Sequence, residues 1–190
     1  MTLTFANKVT AARILIVPFF ILTVLDYTPE RDYLRFVAFA MFMVAIISDV
    51  FDGYIARTRH QKTKAGAILD PLADKMLLIS AFGCLYQVGP YFEVIRFPIW
   101  LVVALVSRDV ILILGGMIIQ MVTGRLEIEA NIWGKATAFL QVICVTGILL
   151  QISISQYVWP AALVVTFISS VIYIREGIRI INGAGSPHFR

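Results

Sequence analysis

The sequence predicts an all-α integral membrane protein: a bundle of six transmembrane helices with a short N-terminal juxtamembrane segment. Three observations predict it. Of the 190 residues, 59% are hydrophobic and only 15% are Asp, Glu, Lys or Arg, against about 45–50% and about 25% in a soluble domain. The mean hydropathy is +0.86. The apolar residues form long runs that Pro, Gly or charge interrupts, and about 20 apolar residues suffice to cross a bilayer.

Those runs place spans near 11–27, 34–56, 66–88, 97–121, 135–153 and 157–181. With short connections and no linker or internal repeat, the length leaves one domain over 1–190 and no soluble appendage. The first run lacks a small-residue cleavage site and is expected to stay in the protein as a helix.

Charge sets the expected orientation. The net charge of +4 comes from short segments between apolar runs, which is the pattern of a topology signal; a nucleic-acid partner is excluded. The N-terminus, the 57–65 and 122–134 loops and the C-terminus carry Lys8, Arg57, Arg59, Lys62, Lys64, Arg125, Arg179 and Arg190, whereas the opposite loops carry Arg31, Arg35 and Arg96. By the positive-inside rule the first group faces the cytoplasm. Cys84 and Cys144 lie singly inside apolar runs and read as small core residues.

The chemistry concentrates at the cytoplasmic ends of the second and third spans. Asp49 and Asp52 are spaced i,i+3, and Asp70 and Asp74 i,i+4, so each pair shares a helical face. A short loop brings the two spans together as neighbours. An Asp at the centre of a membrane helix costs about 2.5–3.5 kcal/mol, and four like charges repel further, so a cation is required. Hard carboxylate oxygens without His or Cys suit Mg²⁺, Mn²⁺ or Ca²⁺ rather than Zn²⁺. A divalent ion bridging phosphates is the economical reading. Gly53, Ala56 and Gly66 allow close backbone approach, although each alone is equally consistent with helix packing. Arg57 and Arg59 stand close enough to the acids to bind phosphate and also fit a role as topology determinants.

The pattern Asp49-x2-Asp52-Gly53-x2-Ala56-Arg57-x8-Gly66-x3-Asp70-x3-Asp74 resembles the complete signature of the CDP-alcohol phosphotransferases, membrane enzymes of phospholipid synthesis. The resemblance implies attack by an alcohol on the lipid-bearing phosphorus of a CDP-linked lipid, with release of CMP. It implies that Asp49, Asp52 and Asp70 ligate Mg²⁺ or Mn²⁺, with Asp74 binding a second ion or deprotonating the acceptor hydroxyl. Gly53, Ala56 and Gly66 would accommodate the CDP-lipid and Arg57 would pair with its diphosphate. Asn7, Thr10 and Arg13 resemble the family's donor-contacting segment, without the Pro usual near that Asn. A homodimer in a bacterial-type inner membrane, its active site facing the cytoplasm, is implied as well.

Further cations address the acceptor. Arg108, Lys135, Arg175 and Arg179 lie toward the same membrane side, which favours an anionic alcohol; Arg59, Arg108 and Lys135 are the candidate contacts to its phosphate. An ion pair between Arg108 and an acid such as Asp109, and snorkelling of the others to headgroups, are the alternatives. Leu69-Asp70-Pro71-Leu72-Ala73-Asp74-Lys75 and Gly134-Lys135-Ala136-Thr137 with Gln141 resemble the family's phosphatidylglycerophosphate synthase branch, whose donor is CDP-diacylglycerol and whose acceptor is glycerol 3-phosphate. Ser107-Arg108-Asp109-Val110 is similar instead to cardiolipin synthases of the same fold, which use phosphatidylglycerol. A cation transporter would also concentrate intramembrane carboxylates, but it has no need of acids confined to one side or of Arg57 beside them.

Overall fold

A computed structural model describes residues 5–58, 64–123 and 132–184, with the side chains of 12–48, 75–119, 121 and 132–180. The described residues form six α-helices, α1 (Phe5–Leu25), α2 (Tyr33–Thr58), α3 (Lys64–Gln87), α4 (Ile99–Thr123), α5 (Ile132–Leu149) and α6 (Val158–Ala184). Single 3-10 turns at Pro29–Arg31, Gly89–Tyr91 and Ser153–Tyr157 join some of them. The all-helical expectation holds, and most boundaries fall within a few residues of the apolar runs. The largest difference is at the N-terminus, where the juxtamembrane segment is helical and continuous with α1 from Phe5.

Among the described residues, three helical stretches are long and apolar enough to cross a membrane, Ile99–Ile119, Ile132–Leu149 and Ser153–Ile180, so this is a multi-pass membrane protein. Even α5, with 18 residues, extends about 27 Å at 1.5 Å per residue, close to a hydrocarbon core of about 30 Å. The described residues of the first half carry shorter apolar helices, Ala12–Leu25 and Tyr33–Ser48.

The chain forms two compact units. Residues 1–98 and 145–153 make the first, 99–144 and 154–190 the second. In the first unit α1 packs on both α2 and α3, while α2 and α3 touch each other much less. Phe20, Phe42, Leu77, Phe82 and Leu85 fill the core with essentially no exposed surface, and Phe20 stacks at a tilt on Phe42 with centroids 6.0 Å apart. Because lipid is as apolar as Leu, such bundles are held by close packing and polar contacts more than by exclusion of water.

Loop contacts secure one end of this unit. Arg35 donates through Nε and Nη2 to the two carboxylate oxygens of Asp32, each at 2.9 Å, and Arg31 pairs with Asp26 at 2.9 Å. Gln151 ends α5 in the left-handed region at φ 53°. Its N–H reaches the Ile148 carbonyl (3.0 Å) and the N–H of Ile152 the Gly147 carbonyl (2.9 Å), the pairing of a Schellman cap in which Gly is the usual left-handed residue. The side chain offsets that backbone cost. Its Oε1 accepts from the N–H groups of Val94 and Ile95, and its Nε2 donates to the carbonyls of Ile95 and Ile148.

In the second unit α4 and α6 pack closely along small residues. A Cβ on Gly115 would sit 2.9 Å from Cε1 of Tyr173, whose hydroxyl donates to the Leu112 carbonyl at 3.0 Å. A Cβ on Gly177 would come 3.3 Å from Cδ1 of Ile119. Cys144 is buried, Cys84 half-buried, and both are free thiols, as expected of core residues.

Candidate active site

Helical backbone runs unbroken through both acidic segments. Asp49, Asp52, Gly53, Ala56 and Arg57 belong to the last turns of α2, and Gly66, Asp70 and Asp74 to the first turns of α3. The i,i+3 and i,i+4 spacings are therefore true helical spacings, and the acid pairs stand at the ends of helices that share α1 as a neighbour. Asn7 and Thr10 lie in the first turns of α1. The side chains of all these residues, and Arg59 altogether, lie outside the described residues. Arg13 is described and is buried, 2% exposed. Among the described residues no group of three or more His, Cys, Asp or Glu side chains is placed to hold a metal. The four aspartates fit a hard divalent cation by the chemistry of their oxygens.

The second unit holds a buried polar cluster on three helices. Arg108 of α4 is 4% exposed and Asp109 1% exposed, within an apolar span. Arg108 Nη1 donates to Asp109 Oδ1 at 2.8 Å, and Nη2 donates to the Ser169 hydroxyl of α6 at 2.8 Å. Asp109 Oδ2 accepts from Nε2 of Gln141 on α5, again at 2.8 Å. The ion pair makes the intramembrane charges neutral together, which removes much of the cost of inserting either alone.

The cluster sits where α5 presents a stripe of buried residues. Thr137, Gln141, Cys144 and Ile148 have no exposed surface, and Gly134 begins the same i,i+3,i+7 row. A Cβ on Gly134 would lie 3.6 Å from Arg108 Nη2, so the backbone just before Lys135 passes against the guanidinium. Lys135, Arg175 and Arg179 are themselves exposed. Two buried polar atoms of this cluster remain without a hydrogen-bond partner among the described residues, Arg108 Nε and Gln141 Oε1.

The ion-pair alternative for Arg108 is thus realised, with the adjacent residue as partner. The roles of Ser169 in the cluster and of Gln151 in the loops were not anticipated. Ser169 had a signal: Thr166 and Ser169 are polar residues three apart in the apolar first half of α6, and both are buried. Gln151 had none, since a lone Gln after an apolar run says nothing about its backbone conformation.

A chain of apolar helices, with two carboxylate pairs in consecutive helices and a neutralised Arg within another, defines a multi-pass membrane protein with intramembrane polar chemistry. The profile of the CDP-alcohol phosphatidyltransferase family matches residues 3–168, and the chain belongs to that family of transferases. It is 32% identical over 184 residues to a protein of Mycobacterium tuberculosis named probable phosphatidylglycerophosphate synthase, covering 94% of this chain and 83% of that one. It is 33% identical over 154 residues to the CDP-diacylglycerol–glycerol-3-phosphate 3-phosphatidyltransferase of Bacillus subtilis, covering 76% of each. The Haemophilus influenzae protein of the same name is 27% identical over 175 residues, 92% of this chain and 90% of that one.

Proposed function

We propose that this protein transfers the phosphatidyl group of CDP-diacylglycerol to glycerol 3-phosphate, forming phosphatidylglycerophosphate and CMP. The observation that carries the reading is the likeness to phosphatidylglycerophosphate synthases over nearly the whole chain, joined to an unbroken acidic signature at helical spacing in α2 and α3. In this reading residues 1–190 are a single catalytic domain of six spans in a bacterial-type inner membrane. The basic ends face the cytoplasm, and the working form is a homodimer.

Asp49, Asp52 and Asp70 would hold Mg²⁺ or Mn²⁺, and Asp74 a second ion or the acceptor's proton. Bound there, the ions would offset the charge of the diphosphate and of the departing CMP. Asn7 and Thr10 contact the CDP-lipid, for which Gly53, Ala56 and Gly66 leave room beside the backbone, and Arg57 pairs with its diphosphate as a planar donor fork. The acceptor hydroxyl oxygen bonds to the lipid-bearing phosphorus as the bond from that phosphorus to the oxygen of CMP breaks. The hydroxyl proton passes to a carboxylate oxygen of Asp74. A carboxylate with its ordinary pKa of about 3.9 is a weak base at neutral pH, so the step relies on an acceptor hydroxyl already polarised in the site. Arg59, Arg108 and Lys135 receive the acceptor's phosphate.

Purified protein supplied with CDP-diacylglycerol and Mg²⁺ or Mn²⁺ tests this. CMP release that requires glycerol 3-phosphate, with a lipid product of the mass of phosphatidylglycerophosphate, supports it. Release with phosphatidylglycerol but not glycerol 3-phosphate reassigns the protein to cardiolipin synthesis, the reading that Asp109 after Arg108 favours. Metal-dependent ion flux without CMP would point to a transporter.

A further inference from the structure

We propose that Asp109 and Ser169 are positioning residues: each takes one N–H of a terminal nitrogen of Arg108 and so clamps the guanidinium plane, which turns the edge carrying the buried, partnerless Nε–H to the acceptor's phosphate, while Gln141 steers Asp109. The proposal rests on the reading of Arg108 as an acceptor contact. A free Arg side chain can offer a phosphate either its terminal fork or the edge made by Nε and one terminal nitrogen. Here each terminal nitrogen already gives one of its two N–H groups to a protein oxygen, which fixes the orientation of the fork. Nη1 is held by Asp109 and Nη2 by Ser169, each at 2.8 Å, from residues of two different helices. Nε has no partner among the described residues and is fully buried, a state that is costly unless a ligand or water completes it.

The surroundings fit this purpose better than they fit packing. Asp109 does not face Arg108 alone, because its second oxygen is occupied by Gln141 Nε2, and this fixes the carboxylate and hence the guanidinium plane. Gln141 in turn leaves its Oε1 unpartnered. The first turn of α5 comes against Nη2, where a Cβ on Gly134 would stand at an ordinary contact distance of 3.6 Å, and the next residue is Lys135, the other acceptor cation of this unit. Three helices thus meet around one side chain whose Nε has no partner among the described residues. A purely structural ion pair has no need of a third helix or of an open Nε.

The test compares Michaelis constants for the two substrates in the full-length protein, with thermal melting as a fold control. S169A is expected to raise KM for glycerol 3-phosphate about tenfold, leaving KM for CDP-diacylglycerol unchanged, and S169T, which keeps the hydroxyl, to return it near the parent value. D109N should act in the same direction and more strongly. Should D109N fail to fold, Q141L, which frees one carboxylate oxygen, takes its place with a smaller rise. Equal rises in both constants, a fall in melting temperature alone, or no rescue by S169T overturns the clamp. R108K separates the two readings. If R108K raises the acceptor KM and S169A does not, the clamp is wrong and the acceptor site stands; if R108K leaves that KM unchanged, the acceptor reading of Arg108 fails and the clamp with it.

Discussion

The two halves of the chain handle charge inside apolar helices in opposite ways. The second unit balances it internally: Arg108 and Asp109 are adjacent, buried and paired at 2.8 Å. The hairpin of α2 and α3 instead concentrates four aspartates within 26 residues of sequence, from Asp49 to Asp74. A balanced pair is stable without help and suits the holding of a fixed geometry. Carboxylates repeated at helical spacing, with Arg57, Arg59, Lys62 and Lys64 gathered between the two pairs, suit the proposed site that binds metal and diphosphate together.

The contrast can be broken by experiment, and the largest effect belongs to the hairpin with the four aspartates. Asp70→Asn and Asp74→Asn are each expected to abolish CMP release while the protein still folds in detergent, and removal of divalent metal by chelation should do the same to the parent. Near-normal turnover in either variant would remove the reason for treating the acids as a site. In the balanced region the cost falls on stability. Removing one partner, as in Arg108→Met, should destabilise the protein by about 3–5 kcal/mol, whereas the paired change Arg108→Met with Asp109→Leu should cost far less because no lone charge is left. Thermal melting of the single and double variants measures that coupling.

Smaller effects test the framework around both regions. Gly115→Ala places a methyl 2.9 Å from the Tyr173 ring and should cost about 1–3 kcal/mol by overpacking, read as a lower melting temperature. Gln151→Ala removes four side-chain hydrogen bonds and should cost about 1–3 kcal/mol. Gln151→Gly, which relieves the left-handed backbone, should recover part of that loss. The smallest effect is at Asp32. Its hydrogen bonds to Arg35 hold its carboxyl below the usual carboxylate range. Its contribution is therefore present above the ordinary carboxylate pKa and is lost as pH falls through the lowered value. Asp32→Asn should flatten the acid side of the stability profile and leave stability at neutral pH changed by less than about 1 kcal/mol.

Much of this was legible along the chain. Apolar runs marked the helices because a bilayer rewards continuous hydrophobicity and penalises unpaired backbone, and the acid spacing was readable because helical period is local. The N-terminal turns of α1 were less plain, since Asn7, Lys8 and Thr10 interrupt the apolar pattern even though the backbone stays helical from Phe5. The end of α5 was missed because the run continues through Leu150 and Ile152, while the stop is made by Gln151 and its bonds to a loop more than fifty residues away. For Arg108 the residue types left an ion pair and a phosphate contact both open; distances to Asp109 and Ser169 made the pair concrete and left Nε as the nitrogen without a partner among the described residues.

The sequence by itself determined the helical membrane class, the order of the helices, the family and the acid spacing, because composition and short-range period act residue by residue along one chain. Only the tertiary structure decided which polar groups inside the second unit satisfy one another. Gln141 and Ser169 lie 32 and 61 residues from the groups they bond, and a hydrogen bond is made by distance and direction in space, which no local pattern encodes.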